Sequence, residues 1–276
     1  MTDLVVQSPQ PLEPIEKPFV ARIGRPAERP SPNALRWSGV AVDPSLESLA
    51  EEHGADVAWV PADRMLRDHR LVVMDMDSTL IAIECIDEIA DMVGVKPQVA
   101  AITEAAMRGE LDFPSALRRR VALLEGLEEA ALQRVYDERL RLSPGAEAML
   151  DGLRSAGLKT LLVSGGFTFF TERLQRRLGL DRALANVLEI EGGRLTGRVL
   201  GEIVDAERKA TELRRMCAEL GVEPRQAIAI GDGANDLAMM AAAGVGIAFR
   251  AKPVVRRQAT HSIRFCGLEA VLQFFR

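Results

Sequence analysis

The chain has 276 residues, 47% of them apolar and 27% charged, which is the composition of a folded protein with one large domain or two modest ones. Its 35 basic and 40 acidic side chains give a formal net charge of −5, which argues against broad binding to nucleic acids or anionic membranes. Aromatic residues make up only 4%, too few for a platform that stacks nucleic-acid bases.

The sequence also lacks the usual signs of a membrane or secreted protein. The apolar run at residues 238–249 has 12 residues, whereas a membrane-spanning helix needs roughly 20. The N-terminus has no basic segment followed by an apolar one, as a secretory signal would. Cys85, Cys217 and Cys266 are odd in number and widely spaced. We therefore expect no disulfide framework, no structural zinc site and a reducing cytoplasm as the compartment.

The first 35 residues contain seven prolines, and proline lacks the backbone N–H that helices and sheets use. This spacing predicts that no long helix or central strand forms there, only a loose tail or a segment that wraps another surface. Residues 45–54 predict a short helix with Gly54 just past its end, and residues 56–60 predict a strand. We expect residues 1–69 to form an N-terminal extension or a small accessory domain of unassigned role.

From residue 71, short apolar runs alternate with amphipathic helical segments. Continuous apolar runs are typical of strands that are covered on both faces, as in a parallel α/β sheet. The runs are LVVM (71–74), LKTLLV (158–163), AIAI (227–230) and VGIAF (245–249). The sequence therefore predicts an α/β fold with a parallel sheet.

Two segments interrupt this alternation. About 80 residues with helical periodicity separate the first two runs, too many for one crossover helix. We therefore predict an inserted helical subdomain at roughly 82–142, within a core made of residues 70–81 and 143–276. Residues 183–201 hold two β-prone runs around Gly192-Gly193, the pattern of a hairpin with a primed turn.

Two carboxylates follow the first apolar run, in the segment Asp75 to Thr79 (DMDST). Ligands in open α/β sheets bind at the carboxyl ends of the strands, so Asp75 and Asp77 are candidates for a functional site. At 4 Å and an effective dielectric constant of 20 their repulsion would be about 4 kcal/mol, which a cation or a shared proton would relieve. The structural alternative is a helix N-cap, because Asp, Ser and Thr all cap helices well.

Two further candidates are an anion-binding turn and a lysine. Ser164, Gly165 and Gly166 follow the second run, where a hydroxyl and backbone amides ahead of a helix can bind an anion. An ordinary strand-to-helix turn would have the same composition. Lys209 lies in the helical segment DAERKATEL, where a single lysine is normally a solvated charge.

The last candidate is GDGAND (231–236), which follows the third run. Its glycines allow the backbone to approach a ligand, and Asp232, Asn235 and Asp236 offer the hard oxygen ligands that Mg²⁺ prefers. The alternative is a tight turn with an N-cap. Three of the four candidate places follow separate apolar strands, and their order fits one sheet.

Together, these segments resemble the haloacid dehalogenase superfamily of phosphotransferases. Asp75 to Thr79 matches its DxDxT signature, Ser164 its second motif, Lys209 its third and GDGAND its fourth. The likeness covers roughly residues 70–276. It implies a Rossmann-like parallel-sheet core with a helical cap inserted after the first strand, preceded here by a short N-terminal accessory segment.

Within that superfamily the chain resembles the phosphoserine phosphatase family. The shared features are Glu84 nine residues after Asp75, the cap residues Met107, Phe113 and Arg120, the SGGF block at 164–167 and the GDGANDL block at 231–237. The N-terminal 70 residues depart from the family pattern, so no regulatory role is assigned to them. The resemblance implies an enzyme that releases L-serine and phosphate from O-phospho-L-serine, the last step of serine biosynthesis.

The resemblance also implies a role for each motif residue. Asp75 would be the nucleophile that forms an aspartyl-phosphate, and Asp77 the acid and base that must be held protonated near neutrality. Mg²⁺ would bind the carboxylates of Asp75 and Asp232 and the backbone carbonyl of Asp77, with Asp236 nearby or bridged through water. The phosphoryl oxygens would be held by Ser164, the Gly165 amide, Lys209 and Asn235.

The cap residues would recognise the rest of the substrate. Seven residues separate Phe113 from Arg120, which places both on one helix face. By the resemblance, Arg120 would bind the substrate carboxylate bidentately, Glu84 would meet its ammonium group, and Phe113 and Met107 would complete the binding site. Without the resemblance, Arg120 is a solvated charge and Phe113 a core residue.

Two other functions compete with this one. The same chemistry could act on another small phosphomonoester or transfer the phosphoryl group to an alcohol. A non-catalytic phospho-ligand sensor would need neither a nucleophile nor its acid partner, so the joint presence of Asp75 and Asp77 weighs against it. The expected partner is a small-molecule substrate, with no nucleic acid and no membrane, and the oligomeric state is left open, a homodimer included.

Overall fold

Two separate β-sheets organise the structure, a computed structural model that describes residues 1–276. The first is a four-stranded sheet at the N-terminus, in the order β2-β3-β1-β4. Its elements are β1 (Thr2–Gln7), α1 (Glu13–Ile23), β2 (Glu28–Ser31), β3 (Ala34–Ser38), α2 (Pro44–Glu52) and β4 (Asp56–Pro61). The strands pair antiparallel, and buried side chains such as Phe19, Trp37 and Leu46 form a core of this unit's own. The helix and strand predicted at 45–54 and 56–60 are confirmed.

The prediction of a loose proline-rich tail over the first 35 residues is wrong. The segment before Pro9 is free of proline, and it forms β1, which pairs with both β3 and β4 in the interior of the sheet. Pro14 lies in the first turn of α1, where the missing N–H has no intrahelical partner in any case. Pro30 lies in β2, an edge strand, where proline is tolerated. Proline at these two positions is therefore compatible with a folded unit.

The N-terminal unit is anchored to the rest of the chain by buried polar contacts. The Asp56 carboxylate accepts the backbone N–H groups of Arg264 at 2.7 Å and Cys266 at 2.8 Å. Arg36 and Arg276 both bind the buried Asp3 carboxylate, at 3.2 and 2.6 Å. The contacts of Asp56 and Arg276 thus join the N-terminal unit to the C-terminal segment of the chain.

The second sheet has seven strands in the order β11-β10-β9-β5-β6-β7-β8. They are β5 (Leu71–Met74), β6 (Lys159–Phe167), β7 (Arg182–Glu191), β8 (Arg194–Leu200), β9 (Ala227–Gly231), β10 (Val245–Phe249) and β11 (His261–Ile263). All neighbours are parallel except β7 and β8. Every residue of β5, β9 and β10 is buried, as expected for strands covered on both faces. The predicted parallel α/β sheet is confirmed.

Helices surround this sheet and fill the insert after β5. The insert contains α3 (Cys85–Met92), α4 (Lys96–Met107), α5 (Phe113–Ala122) and α6 (Glu129–Arg134). The chain leaves and re-enters the core at Ile81 and Leu142, which face each other in an antiparallel bridge. The remaining helices are α7 (Ala146–Ser155), α8 (Thr168–Leu178), α9 (Ala206–Glu219), α10 (Leu237–Ala242) and α11 (Pro253–Arg256), followed by a 3₁₀ segment, Leu268–Phe274. None of the helices has the length and apolar character needed to cross a membrane.

The hairpin predicted around Gly192-Gly193 is confirmed as β7 and β8. Both glycines have positive φ, 57° and 75°, as a type I′ turn requires. Near its tip the hairpin pairs with the insert, because Leu195 donates to the Leu127 carbonyl at 2.8 Å and Gly126 donates to the Leu195 carbonyl at 2.8 Å. The hairpin thus links the edge of the sheet to the helical insert.

Candidate active site

Three of the motif segments meet at the carboxyl edge of the sheet. Asp75 directly follows β5, Ser164 lies near the end of β6, and Asp232 directly follows β9. Because β5 lies between β6 and β9, these positions are neighbours at one edge, as their order along the chain predicted.

Lys209 lies at the centre of this edge. Its side chain is 1% exposed, and its Nζ stands 2.8 Å from Oδ1 of Asp75 and 2.7 Å from Oδ1 of Asp236. The Asp205 carboxylate caps α9 by accepting the Arg208 N–H at 2.8 Å, so Lys209 falls in the first turn. Although burial disfavours the charged form, the two aspartates raise the pKa of Lys209 above its usual range. The alternative of a solvated surface lysine is therefore wrong.

The carboxylates around Lys209 outnumber it. Oxygens of Asp75, Asp232 and Asp236 lie within 4.8 Å of one another. Burial and the charge of Asp236 raise the pKa of Asp75 well above its usual range, and burial with Asp236 raises the pKa of Asp232 to about 6. Asp75 is buried, and the one cation against its Oδ1 is the Lys209 ammonium group at 2.8 Å. Three carboxylates thus surround one ammonium group, and the cluster has an excess of negative charge that a bound cation would offset.

The loop after β9 is shaped by one buried carboxylate. Oδ2 of Asp236 accepts the backbone N–H groups of Asp232 at 3.1 Å and Gly233 at 3.0 Å. A Cβ at Gly231 would come within 2.4 Å of the Asp236 carboxyl carbon, so only glycine fits there. The Thr79 hydroxyl donates to Oδ1 of Asp232 at 3.0 Å and ties this loop to the one after β5. The Asp232 carboxylate is thereby oriented toward Asp75.

Asp77 lies in a wide turn, Met76–Leu80, that follows Asp75. Its Oδ1 accepts the Cys85 N–H at 2.9 Å, and burial raises the pKa of its carboxyl group. A Cβ at Gly166 would come 2.6 Å from Oδ2 of Asp77, so the glycine leaves room for this second oxygen at the cleft. A raised pKa favours the protonated form of this carboxyl group, which is the form that can donate a proton.

The turn after β6 keeps its backbone close to the insert. The Ser164 hydroxyl oxygen accepts the Gly166 N–H at 2.9 Å, and Ser164 itself is fully buried. A Cβ at Gly165 would come 2.9 Å from Cζ of Phe113, the first residue of α5. Phe113 of the insert therefore lies directly over the turn that was predicted to bind an anion. Asn235 is half-buried on the neighbouring loop.

The remaining insert residues are placed differently from one another. Arg120 is half-buried and has no carboxylate within 4.0 Å, although Asp87, Glu84 and Asp77 act on its charge. Glu84 lies at the exposed rim, where it accepts the Ser78 hydroxyl at 2.6 Å. Although the residue is exposed, neighbouring protein removes part of the water around its carboxyl group, and this desolvation with the charge of Asp77 raises the pKa of Glu84 to about 7. Met107 at the end of α4 is 67% exposed, so the structure does not bury it in the cleft.

Three residues shape the site through contacts that the sequence does not predict. They are Thr79, which orients Asp232, Gly166, which makes room for Asp77, and Asn186 on β7, which hydrogen-bonds to Gly165. Thr79 and Gly166 lie inside the motif segments after β5 and β6, and only this position in the sequence indicates that they belong to the site. Asn186 was recognisable as an amide inside an otherwise apolar run, ALANVL (183–188).

Comparisons with known proteins agree with this geometry. The family model for haloacid dehalogenase-like hydrolases matches residues 72–241. A phosphoserine phosphatase from Polaromonas sp. strain JS666 is 55% identical over 216 residues, which cover 76% of this chain and 92% of that protein.

Two solved structures extend the comparison. The unliganded crystal structure of a probable phosphoserine phosphatase from Vibrio cholerae matches with a TM-score of 0.87 at 38% identity, covering 99% of this chain and 85% of that one. A phospho-aspartyl intermediate analogue of phosphoserine phosphatase matches with a TM-score of 0.71 at 38% identity, covering 75% of this chain and 99% of that one.

Proposed function

Because the chain belongs to the haloacid dehalogenase-like hydrolase family, we propose that it hydrolyses O-phospho-L-serine to L-serine and phosphate with the help of Mg²⁺. One observation carries the proposal. The Asp75 carboxylate stands 2.8 Å from the buried ammonium group of Lys209, at the carboxyl end of β5. Such a pair joins a nucleophile to a fixed positive charge, which is what attack on a phosphate dianion requires.

The first step would transfer the phosphoryl group to the enzyme. An oxygen of Asp75 attacks phosphorus, and the bond between phosphorus and the serine oxygen breaks. Asp77 gives its proton to that leaving oxygen, so L-serine departs as a neutral alcohol. The raised pKa of Asp77 supports this role, because it favours the protonated form that can give up a proton.

The second step would restore the enzyme. Asp77, now ionised, takes a proton from a water molecule, whose oxygen attacks phosphorus as the bond to Asp75 breaks. Inorganic phosphate leaves with the incoming oxygen. Throughout both steps, Ser164, the Gly165 amide, Lys209 and Asn235 would hold the other phosphoryl oxygens. For Lys209 this is supported by its burial and by a raised pKa, which keep its charge fixed inside the cleft.

The residues present fit a divalent cation. Mg²⁺ would be held by the carboxylates of Asp75 and Asp232 and by the backbone carbonyl of Asp77, with Asp236 beside it. Oxygen donors without a thiolate or imidazole suit Mg²⁺, and the three clustered carboxylates exceed the one lysine charge. When bound, the ion would supply positive charge that stabilises the developing negative charge on the phosphoryl oxygens.

The insert would select the substrate. We propose that Arg120 binds the serine carboxylate and Glu84 the ammonium group, with Phe113 closing the site over the Gly165 turn. Arg120 supports this because it is a half-buried guanidinium without an ion-pair partner, so its donors remain available.

The wider context is proposed on the same basis. Residues 70–81 and 143–276 would act as the catalytic core, 82–142 as its cap and 1–69 as an accessory domain. The reaction would be the last step of serine biosynthesis. A cytoplasmic location is supported by three buried, unpaired cysteines, which need no oxidising compartment.

The test is a phosphate-release assay across small phosphomonoesters, with Mg²⁺ and after chelation. We expect the highest kcat/KM for O-phospho-L-serine. A higher kcat/KM for another phosphomonoester would show that the substrate is a different one. Transfer of the phosphoryl group to an added alcohol would show that the enzyme is a phosphotransferase. Failure to detect a phosphoenzyme in a single turnover, together with tight phosphoserine binding, would point to a sensor instead.

A further inference from the structure

Asn186 connects two parts of the site that are distant in sequence. Its side-chain NH₂ donates to the Gly165 carbonyl at 2.7 Å, and its Oδ1 accepts the Val204 N–H at 2.8 Å. The residue is 1% exposed, so both hydrogen bonds lie in protein and not in water. One amide side chain therefore joins the turn after β6 to the segment that leads into α9.

The strand pairing explains why this link is needed. β6 and β7 pair regularly up to Val163 opposite Leu184, and pairing resumes only at Phe167 opposite Asn186. Three residues of β6, 164–166, thus face a single residue of β7. Such a bulge removes main-chain hydrogen bonds and redirects the backbone, often beside an active site. The Asn186 side chain replaces part of the lost pairing where the turn leaves the sheet.

The other end of the link determines where α9 begins. Val204 immediately precedes Asp205, whose carboxylate caps α9, and the Asp205 carbonyl accepts the Lys209 N–H at 3.0 Å. The Val204 carbonyl also lies close to Gly165, 3.6 Å from where a Cβ on that glycine would be. A shift of Val204 would therefore move Lys209 relative to the turn that holds Gly165.

We propose that Asn186 is a positioning residue for phosphoryl transfer, which sets the distance between the Gly165 turn and Lys209 without touching the substrate. The proposal rests on the phosphate-binding roles proposed above for Gly165 and Lys209. Because both groups hold phosphoryl oxygens and not the serine portion, the effect of Asn186 is common to every phosphomonoester. This separates it from Arg120, whose effect depends on a substrate carboxylate.

The test compares Asn186→Ala with a matched control, Thr160→Val. Thr160 lies on β6 and, like Asn186, is buried. Its side chain makes two hydrogen bonds, both to Asp181, at the end of β6 that lies away from the Gly165 turn. We expect Asn186→Ala to lower kcat about 10- to 100-fold for both O-phospho-L-serine and an aryl phosphate, because a misplacement near 1 Å can cost about that much. Thr160→Val should lower the midpoint of denaturation and leave kcat nearly unchanged. Equal losses of kcat in the two variants, per folded protein, would overturn the proposal.

The Asn186→Asp variant adds a pH-dependent measurement of kcat, which a purely structural role of Asn186 would not affect. It also tests the positioning role if Asn186→Ala does not fold. A protonated carboxyl group at this position could still donate to Gly165 and accept from Val204, whereas an ionised one could not donate. Burial raises the pKa of such a carboxyl. We therefore expect the ratio of variant to wild-type kcat to rise as the pH falls from 8 to 5.5. A ratio that stays flat would overturn the hydrogen-bond role.

Binding of inorganic phosphate, measured by calorimetry, distinguishes this proposal from the proposed function. The affinity for inorganic phosphate depends on the phosphate-binding groups alone, because this ligand has no serine portion and is not turned over. We expect Asn186→Ala to weaken phosphate binding about tenfold, and unchanged affinity would count against the positioning role. If the wild type binds phosphate but does not hydrolyse phosphoserine, the proposed function fails while the role of Asn186 remains measurable.

Discussion

Replacing Arg120 by alanine should reduce activity on phosphoserine selectively. Arg120 lies on α5, seven residues after Phe113, and its guanidinium has no carboxylate within 4.0 Å. Its one hydrogen bond is a long contact of 3.4 Å from Nε to the Ala116 carbonyl. Burial lowers the pKa of Arg120, while Asp87 and Glu84 oppose this shift. An arginine remains charged at neutral pH even so, and most of its five N–H donors are free for a ligand.

The size of the effect follows from the contact that would be lost. A hydrogen bond to a charged group contributes about 1.5–3 kcal/mol. At about 1.4 kcal/mol per factor of ten, Arg120→Ala should lower kcat/KM for O-phospho-L-serine roughly 10- to 100-fold. A larger loss would indicate a bidentate contact. An aryl phosphate has no carboxylate, so its kcat/KM should change little.

The assay is steady-state kinetics of wild type and variants on both substrates at saturating Mg²⁺. Arg119→Ala is the matched control, because Arg119 is the preceding residue of the same helix and its side chain is exposed. It should leave both values unchanged. Arg120→Lys keeps the charge but not the planar fork, and should recover part of the lost activity.

One result would refute this reasoning directly. If Arg120→Ala lowers kcat/KM for both substrates by the same factor, Arg120 supports the insert or its closure and does not bind the substrate carboxylate. Equal losses in Arg119→Ala and Arg120→Ala would lead to the same conclusion, because an exposed neighbour cannot share a specific contact in the cleft.

Three further predictions concern the nucleophile, the metal and a buried histidine. Asp75→Asn should fold and lose turnover, because an amide cannot form an acyl-phosphate; phosphate release and circular dichroism check this, and turnover near the wild-type level in protein free of deamidation would contradict it. Excess chelator should abolish phosphate release and added Mg²⁺ should restore it, since oxygens of three aspartates lie within 4.8 Å of one another; full activity in metal-free buffer would show that no such ion is needed. Burial and nearby Arg64, which donates to Nε2 of His261 at 2.5 Å, lower the pKa of His261 to about 3. Because the unfolded pKa is about 6.5, the neutral form stabilises the fold fully above pH 6.5, and this stability is lost as the pH falls from there toward 3, by about 1.4 kcal/mol per pH unit. Denaturant unfolding at pH 7.5 and 5.5 should therefore show a smaller drop for His261→Gln than for wild type, and equal drops would exclude the effect.

Much of the site could be read from local sequence because its parts follow strands directly. A strand of apolar residues ends where polar residues begin, so DMDST and GDGAND marked the carboxyl ends of β5 and β9 without any tertiary information. The primed turn at Gly192-Gly193 was equally local, since both residues need positive φ. These features depend on neighbours within a few residues, which one sequence contains.

The prediction for the N-terminal segment is wrong because the number of prolines in a segment does not decide whether it folds. The effect of each proline depends on which hydrogen bond its position needs, and that depends on the partner strands. Pro30 is acceptable only because β2 is an edge strand, and β1 is central only because β3 and β4 pair on its two sides. Neither fact can be read from residues 1–35 in isolation.

The chemistry of individual side chains was decided by tertiary structure. As a sequence position, Lys209 is an ordinary helical lysine; in the fold, 1% exposed between Asp75 and Asp236, it is a fixed positive charge. Asn186 is a polar residue in an apolar run until the bulge in β6 brings Gly165 and Val204 within reach of one amide. The sequence by itself therefore determined which residue types follow each strand, because covalent bonds fix the order of residues along the chain. Burial, pKa and the distances between motifs came only from packing, because they depend on residues that lie far apart in the chain.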